Sequence, residues 1–293
     1  MGSRRFAILG AGRMGRALGR LLALQGLQVG GVTARTLRSA RRAVRFIGAG
    51  QAEKSNRRAA SGASLIFIAT PDRTIPPLAR ELARTGPRWD RKVVAHTSGA
   101  MSSSVLEPLR RRGARVASLH PLASIADPRT GLSDVARTPF AIEGDPEAVR
   151  LLRRLVARAG GIPVTIPRQA KTLYHLIAVL LSNDLVALLS FGLEAARALG
   201  LSEREAIRLY MPLVRGTVDN VARLGPVRAL TGPVSRGDAT TLRLHAHALR
   251  TVPADFRRLH RLLAQRSTAL ALKAKTITPE IALRLDRLLG SLP

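Results

Sequence analysis

One otherwise apolar stretch carries most of the residues that could move a proton: Lys171-Thr-Leu-Tyr174-His175, then Ile177-Ala-Val-Leu-Leu-Ser182-Asn183-Asp184. On a helix, His175 falls about 40° and Ser182 about 20° from Lys171, so the three share a face. An ammonium or imidazole placed there donates or takes a proton, and a neighbouring amide orients a substrate oxygen. The rest of the stretch reads as a buried helix, whose polar groups must satisfy one another or face a cleft. Lys171 and His175 are therefore the candidate acids, with Asn183 beside them. The most apolar run, Leu176–Leu189, reads as too short to cross a bilayer and is broken by Ser182, Asn183 and Asp184.

A second constellation lies near the N-terminus. Phe6–Leu9 is an apolar run of strand length, followed by Gly10, Gly12 and Gly15 at G-x-G-x-x-G spacing and by helical periodicity through Arg13–Leu24. In such a turn Gly10 permits the bend, Gly12 lets backbone approach a pyrophosphate, and Gly15 lets helix pack on strand. The start of that helix, at Arg13 and Met14, would turn backbone N–H groups and a partial positive charge toward the phosphates. Strand before and helix after give this otherwise weak motif its force, and it implies a dinucleotide.

The place where an NAD-binding unit carries Asp or Glu reads Thr33-Ala-Arg35-Thr36-Leu-Arg38, without an acid. Arg35, with Thr36, can grip a 2′-phosphate that a carboxylate would repel, so the cofactor indicated is NADP. Ligands of such sheets sit outside the carboxyl ends of the strands. The segments following the expected strands are Ala69-Thr70-Pro71 beside the cofactor, His96-Thr97-Ser98-Gly99, and His120-Pro121-Leu122. Ser98 and His120 are thus candidate substrate contacts. So are Arg236, suited to a carboxylate, and Asp238, which also reads as the cap of a following helix. His245 and His247 point apart on a helix, and no spacing suggests a metal site.

These residues need a scaffold, and the pattern supplies one. Strand-like runs at Leu27–Thr33, Leu65–Ala69, Lys92–Ala95, Arg115–Leu119, Pro139–Ile142 and Pro163–Ile166 alternate with helical stretches at Leu37–Phe46, Pro76–Thr85, Ser104–Arg112 and Pro146–Ala159. That alternation predicts an α/β Rossmann-type parallel-sheet domain over residues 1–167. After Pro167 only helical periodicity remains, in stretches over 171–199, 202–224, 239–250, 253–272 and 279–288. Residues 168–293 are therefore read as an all-helical domain for substrate binding and dimerisation.

Composition narrows the classes. The 293 residues contain no cysteine, which excludes disulfides and thiolate chemistry. The formal net charge is +29, yet the basic excess is spread over both halves, without a tail, and aromatics are 3%. Nucleic-acid binding is therefore disfavoured against a solvated arginine-rich surface. No secretory signal or membrane span is read, and a cytoplasmic location follows as the expectation.

Taken in order, Gly10–Gly15, Thr97-Ser98-Gly99, His120-Pro121-Leu122, Tyr174-His175, Ser182-Asn183 and Thr231–Asp238 resemble one group of bacterial proteins. These are Rossmann-like proteins with a C-terminal domain of unknown function. They are relatives of pyrroline-5-carboxylate reductase, ketopantoate reductase and the 6-phosphogluconate dehydrogenase superfamily. The resemblance covers essentially the whole chain. It implies an NADP-binding domain, a helical domain that often mediates homodimerisation, and an active site completed by that domain. The expectation is an NADP-dependent oxidoreductase acting on a small anionic C=O or C=N compound, with a non-catalytic NADP sensor as the competing reading. One departure stands out: the hydroxyacid-dehydrogenase branch places Asn four residues after its catalytic Lys, where this chain has His175.

Overall fold

A computed structural model describes residues 5–123 and 138–290. Contacts divide the chain into two compact units, Met1–Asp184 and Leu185–Pro293. The first is built on an eight-stranded sheet of order β3-β2-β1-β4-β5-β6-β7-β8. Its strands are β1 (Arg5–Leu9), β2 (Gln28–Thr33), β3 (Gln51–Glu53), β4 (Leu65–Ile68), β5 (Val93–His96), β6 (Arg115–Pro121), β7 (Pro139–Gly144) and β8 (Ile162–Thr165). Strands β1 to β6 are parallel, as the alternation requires. Strand β7 runs antiparallel to β6, and β8 is parallel to β7. The parallel sheet that the alternation predicts is thus present, and β7 alone runs against its neighbour β6.

Helices α1 (Arg13–Leu24), α2 (Leu37–Ile47), α3 (Asn56–Ser61), α4 (Ile75–Thr85), α5 (Glu107–Arg110) and α6 (Pro146–Arg158) complete this layer. Side chains alternate across each strand, and the core divides accordingly. Phe6, Ile8, Leu65 and Phe67 pack with Leu18 and Leu22 of α1 and Leu152 of α6. Ala7, Leu9, Ile66 and Ile68 pack with Leu78 and Leu82 of α4. All eight strand residues are fully buried, which explains why these strands read as continuous apolar runs.

Helix α7 (Lys171–Ala195) crosses the division at Asp184. The second unit contains α8 (Glu203–Leu224), α9 (Pro226–Ala229), α10 (Ala239–Ala248), α11 (Ala254–Lys273) and α12 (Pro279–Gly290). Ser202 and Glu205 form a reciprocal cap at the start of α8. Val234, Leu242, Ala271, Ile277 and Leu285 form its buried centre.

Two expectations about α7 are overturned. It is not a buried helix: Lys171 is its one buried residue, whereas Leu173, Leu176, Leu180 and Leu181 are 58–69% exposed. Nor is it too short to cross a bilayer, since the continuous helical segment Arg168–Leu199 has the length for it and contains an 18-residue window of mean hydropathy 2.0. Apolar residues around the whole circumference of a helix do not specify which face is covered.

Candidate active site

Strand β1 delivers the chain into Gly10, whose φ of 95° lies in the region that glycine tolerates. A Cβ at Gly10 would stand 2.5 Å from Cγ2 and 2.8 Å from the backbone N of Thr70, and one at Gly15 would stand 2.5 Å from the Gly10 carbonyl oxygen. At Gly12 a Cβ would meet nothing within 4 Å. The first two glycines are thus required by the fold itself, while Gly12 borders open space. The N–H groups of Gly10 and Ala11 donate to the Thr33 carbonyl at 3.1 and 2.7 Å, tying the turn to the end of β2. Helix α1 begins at Gly12 with no side-chain cap and no acid in its first turn, whereas Thr36 caps α2 and Ser55 caps α3. An uncapped N-terminus behind a glycine turn suits a phosphate group.

A groove of about 720 Å³ runs along these carboxyl ends. Gly10, Gly12, Arg35, Ala69, Thr70 and Pro71 line it, as the sequence suggested. Arg13, Met14 and Gly15 lie in the first turn of α1 and are not among its lining residues. Thr36 is not among them either: its hydroxyl accepts the Ser39 N–H at 3.1 Å and donates to Ser39 Oγ at 3.0 Å. Ser39, Asn56 and Arg73 do line the groove and were missed. Ser39 had a signal, standing three residues beyond a capping threonine. Asn56 had none, since only the fold brings it to Thr33, whose hydroxyl donates to Asn56 Oδ1 at 2.6 Å.

Further along the same edge, β5 ends in His96 and β6 carries His120. His96 is fully buried, its Nδ1 accepts the Ser98 N–H at 3.2 Å, and desolvation pushes its pKa down to about 4. Accepting at Nδ1 leaves the proton of the neutral ring on Nε2, which has no partner. Ser98 is itself buried. It donates to Asp72 Oδ2 at 2.7 Å and accepts from the Met101 N–H at 3.0 Å, which makes it a brace of this loop.

His120 Nδ1 is hydrogen-bonded to the Tyr174 hydroxyl at 3.0 Å, and its ring meets those of Tyr174 and His175 edge-on at 5.7 and 5.9 Å. Burial drives His120 down to about 3, with Lys171, His175 and His96 adding to the shift, and drives Tyr174 up to about 12. A Cβ on Gly99 would collide with His175 Nδ1 and stand 2.9 Å from His120 Nε2. The absent side chain therefore lets the loop backbone pack directly against both imidazoles.

Lys171 is 1% exposed, its Nζ has no hydrogen-bond partner and lies 5.4 Å from the centre of the Tyr174 ring. Desolvation lowers its pKa to about 8, against the opposing pull of Glu143 and Asp72. Glu143 is held by the Ser103 N–H at 2.6 Å and hydroxyl at 2.8 Å, and by Arg168 at 3.4 Å.

A second cavity, of about 580 Å³, is walled by His120, Tyr174, His175, Ser182 and Asn183 together with apolar residues such as Leu122 and Ile177. The structure thus brings His120, His175 and Asn183 together and leaves Lys171 and Ser98 behind that wall. Arg236 and Asp238 belong to the second unit. There Asp238 caps α10, accepting from the Thr241 N–H at 3.0 Å and hydroxyl at 2.7 Å.

Comparison with known proteins agrees with this architecture. Residues 3–121 match a model for a Rossmann-like domain, and residues 138–267 match a domain of unknown function, DUF2520. No functionally curated protein matches. Among solved structures, one from Thermotoga maritima is 27% identical over 98% of each chain, with a TM-score of 0.64. A Bacteroides fragilis protein provisionally assigned as an NADP oxidoreductase is 22% identical over 91% of this chain and 98% of its own, with a TM-score of 0.74. An imine reductase from Pseudomonas sp. is 18% identical over 94% of this chain and all of its own, with a TM-score of 0.66. The chain is a Rossmann-like domain followed by a DUF2520 domain.

Proposed function

We propose that this protein is an NADP-dependent oxidoreductase that transfers hydride to or from a small C=O or C=N compound. The observation that carries the reading is that, of six buried side-chain polar atoms without a hydrogen-bond partner among the described residues, four are Thr70 Oγ1, His96 Nε2, Lys171 Nζ and His175 Nδ1. Each costs about 1–3 kcal/mol when unsatisfied. They follow β4 and β5 or open α7, at the end of the sheet where ligands of such folds bind. A fold that leaves this many unpaired at one edge keeps them for a ligand.

The residues present fit NADP. Gly12 and the uncapped start of α1 would receive the pyrophosphate, and Thr70 supplies a donor without a partner. Arg35 and Ser39 would hold the 2′-phosphate, the segment after β2 carrying no acid of its own and Glu81 being the one carboxylate that lines the groove. When bound, the cofactor supplies or accepts hydride. Lys171, with a pKa of about 8, holds a transferable proton at neutral pH. His120, kept neutral by burial, lines the adjoining cavity together with His175 and Asn183. The wall of that cavity carries no cationic side chain among its lining residues, so the expected anionic character of the substrate draws no support from it. The structural likeness to an imine reductase supports the class of fold that such chemistry uses.

The test is a screen of NADPH oxidation against aldehydes, ketones and cyclic imines, with NADPH binding followed by fluorescence. Turnover of at least one class, lost in Lys171→Ala while NADPH affinity stays within twofold, supports the reading. Tight NADPH binding without turnover of any class would favour the sensor instead.

We also propose that the exposed apolar face of α7 is covered by a second copy of the chain. A bilayer would place Asp184 within its apolar thickness, at roughly 3 kcal/mol for a charged residue near the centre. Light scattering after size exclusion in detergent-free buffer should return twice the 31.5 kDa chain mass. A monomer, or a requirement for detergent, would exclude this.

A further inference from the structure

The opposite end of the sheet carries a concave site that the reductase reading does not use. Its cavity, of about 340 Å³, is lined by Arg91, Arg115, Arg150 and Arg154, with Glu147 its one acid. Val93 and Arg115 are the first residues of β5 and β6 and stand side by side in register. Arg150 and Arg154 project one turn apart from α6. Arg91 sits two residues before the start of β5 with a φ of 61°, a conformation uncommon for a residue other than glycine.

The charge here is uncompensated. Glu147 Oε2 accepts from Arg115 Nε at 2.9 Å, so the one carboxylate is already engaged. Among the described residues, the guanidinium groups of Arg91, Arg150 and Arg154 have neither ion pair nor hydrogen bond. Elsewhere acids take arginines in hand: Glu107 holds Arg110 and Arg111, and Asp90 holds Arg88. Arginines on a convex surface diverge into water, whereas around a cavity their fields add, and the forked guanidinium matches phosphate oxygens in pairs.

We infer that this cavity binds a small-molecule polyanion of the diphosphate class, at a site separate from the cofactor groove. Strand β5 spans three residue steps from Val93 to His96, about 10 Å. An occupant at its amino end therefore does not touch the residues at its carboxyl end. The volume is near the lower bound of small-molecule sites, too small for a whole dinucleotide and adequate for a diphosphate with a small appendage.

The experiment is calorimetric titration of inorganic pyrophosphate into the full chain saturated with NADP⁺, which keeps the cofactor groove filled. The subjects are the wild type, the double variant Arg150→Ala/Arg154→Ala, and the control Arg204→Ala/Arg208→Ala, which removes the same charge at the same spacing from exposed positions on α8. All four side chains are exposed, so folding should survive, and unfolding midpoints check this. Saturable binding of one pyrophosphate per chain, weakened about tenfold or more in the first variant and within twofold in the control, supports the inference. Absence of saturable binding, or equal weakening in both variants, overturns it. Displacement of pyrophosphate by a tighter-binding short duplex oligonucleotide overturns it too, by making the site part of a nucleic-acid surface. None of these outcomes depends on turnover, so the result is separable from the fate of the reductase reading.

Discussion

Replacing Lys171 by methionine should make the protein more stable at neutral pH while removing its activity. The ammonium is 1% exposed and without a hydrogen-bond partner, and its pKa falls from 10.5 to about 8. A depression of that size corresponds to roughly 3 kcal/mol against the charged form in the folded state. Below pH 8 the lysine is protonated in both folded and unfolded chains, so the folded state carries the whole penalty. Between pH 8 and 10.5 the folded chain sheds the proton and the unfolded chain keeps it, so wild-type stability rises with pH. Above 10.5 both are neutral and the penalty is gone. Methionine fills a similar volume without charge, so its advantage should be greatest at pH 7 and shrink by roughly 3 kcal/mol as the pH passes 10. Urea unfolding can be followed through Trp89, the single tryptophan, which is 2% exposed in the first unit. Taking the difference between variant and wild type at each pH cancels the other titrating groups. Turnover in the same variant should fall at least about 100-fold with NADPH affinity unchanged. A stability gap that stays constant from pH 7 to 10.5 would refute the buried-ammonium argument, and retained turnover would refute Lys171 as the proton source.

Four further outcomes follow from the site. Arg35→Asp should weaken NADPH binding by about 100-fold, as expected for a charge-assisted contact of near 3 kcal/mol, and leave NADH binding nearly unchanged; fluorescence titration of both nucleotides measures it, and equal losses would remove Arg35 from the 2′-phosphate site. Gly12→Ala should fold normally and bind NADPH poorly, whereas Gly15→Ala should lose about 1–3 kcal/mol of stability through its contact with the Gly10 carbonyl, so thermal melts and titrations of the pair must separate in opposite directions. Gly99→Ala, whose Cβ would press on His175 and His120, should reduce turnover with NADPH affinity intact, and unaltered turnover would place the reacting atoms elsewhere. The rate of reduction should be level below pH 8 and decline as the pH rises through about 8, because His120 near 3 and Tyr174 near 12 titrate outside that window; a limb near pH 6.5 would point to another acid.

The first unit was legible because its strands are buried on both faces and its turn is written in glycines. Runs such as Leu65–Ile68 admit no other reading beside helical punctuation, and Asp145-Pro146 and Gly160 bracket α6 within a residue. Strand β3 and helix α3 were missed because three and six largely polar residues carry no period. The groove lining was legible in Arg35 and Thr70 but not in Asn56, whose place depends on a tertiary hydrogen bond to Thr33. Thr36 shows why a hydroxyl's role is not legible in the pattern. Serine, threonine and asparagine serve equally as ligand donors and as helix caps, and sequence does not distinguish a hydroxyl that receives Ser39 N–H from one left free.

Helix α7 marks the limit of reading from periodicity and suggests what the site requires. Its burial is inverted relative to ordinary hydropathy: a lysine is enclosed while Leu176, Leu180 and Leu181 are exposed. Charge burial is among the costliest features a fold can retain, and apolar exposure on this scale is uncommon in a protein that acts alone. Both coincide within the fourteen residues that also supply Tyr174, His175 and Asn183. One end of the helix thus encloses an ammonium in a dry setting, while its outward apolar face is exposed among the described residues and is the face proposed to meet a second copy. If a second copy covers that face, the cavity walled by Ile177 and Asn183 is enclosed in the same step. Dilution below the dimer's dissociation constant should then lower turnover more steeply than NADPH binding, and parallel losses of the two would separate assembly from the site.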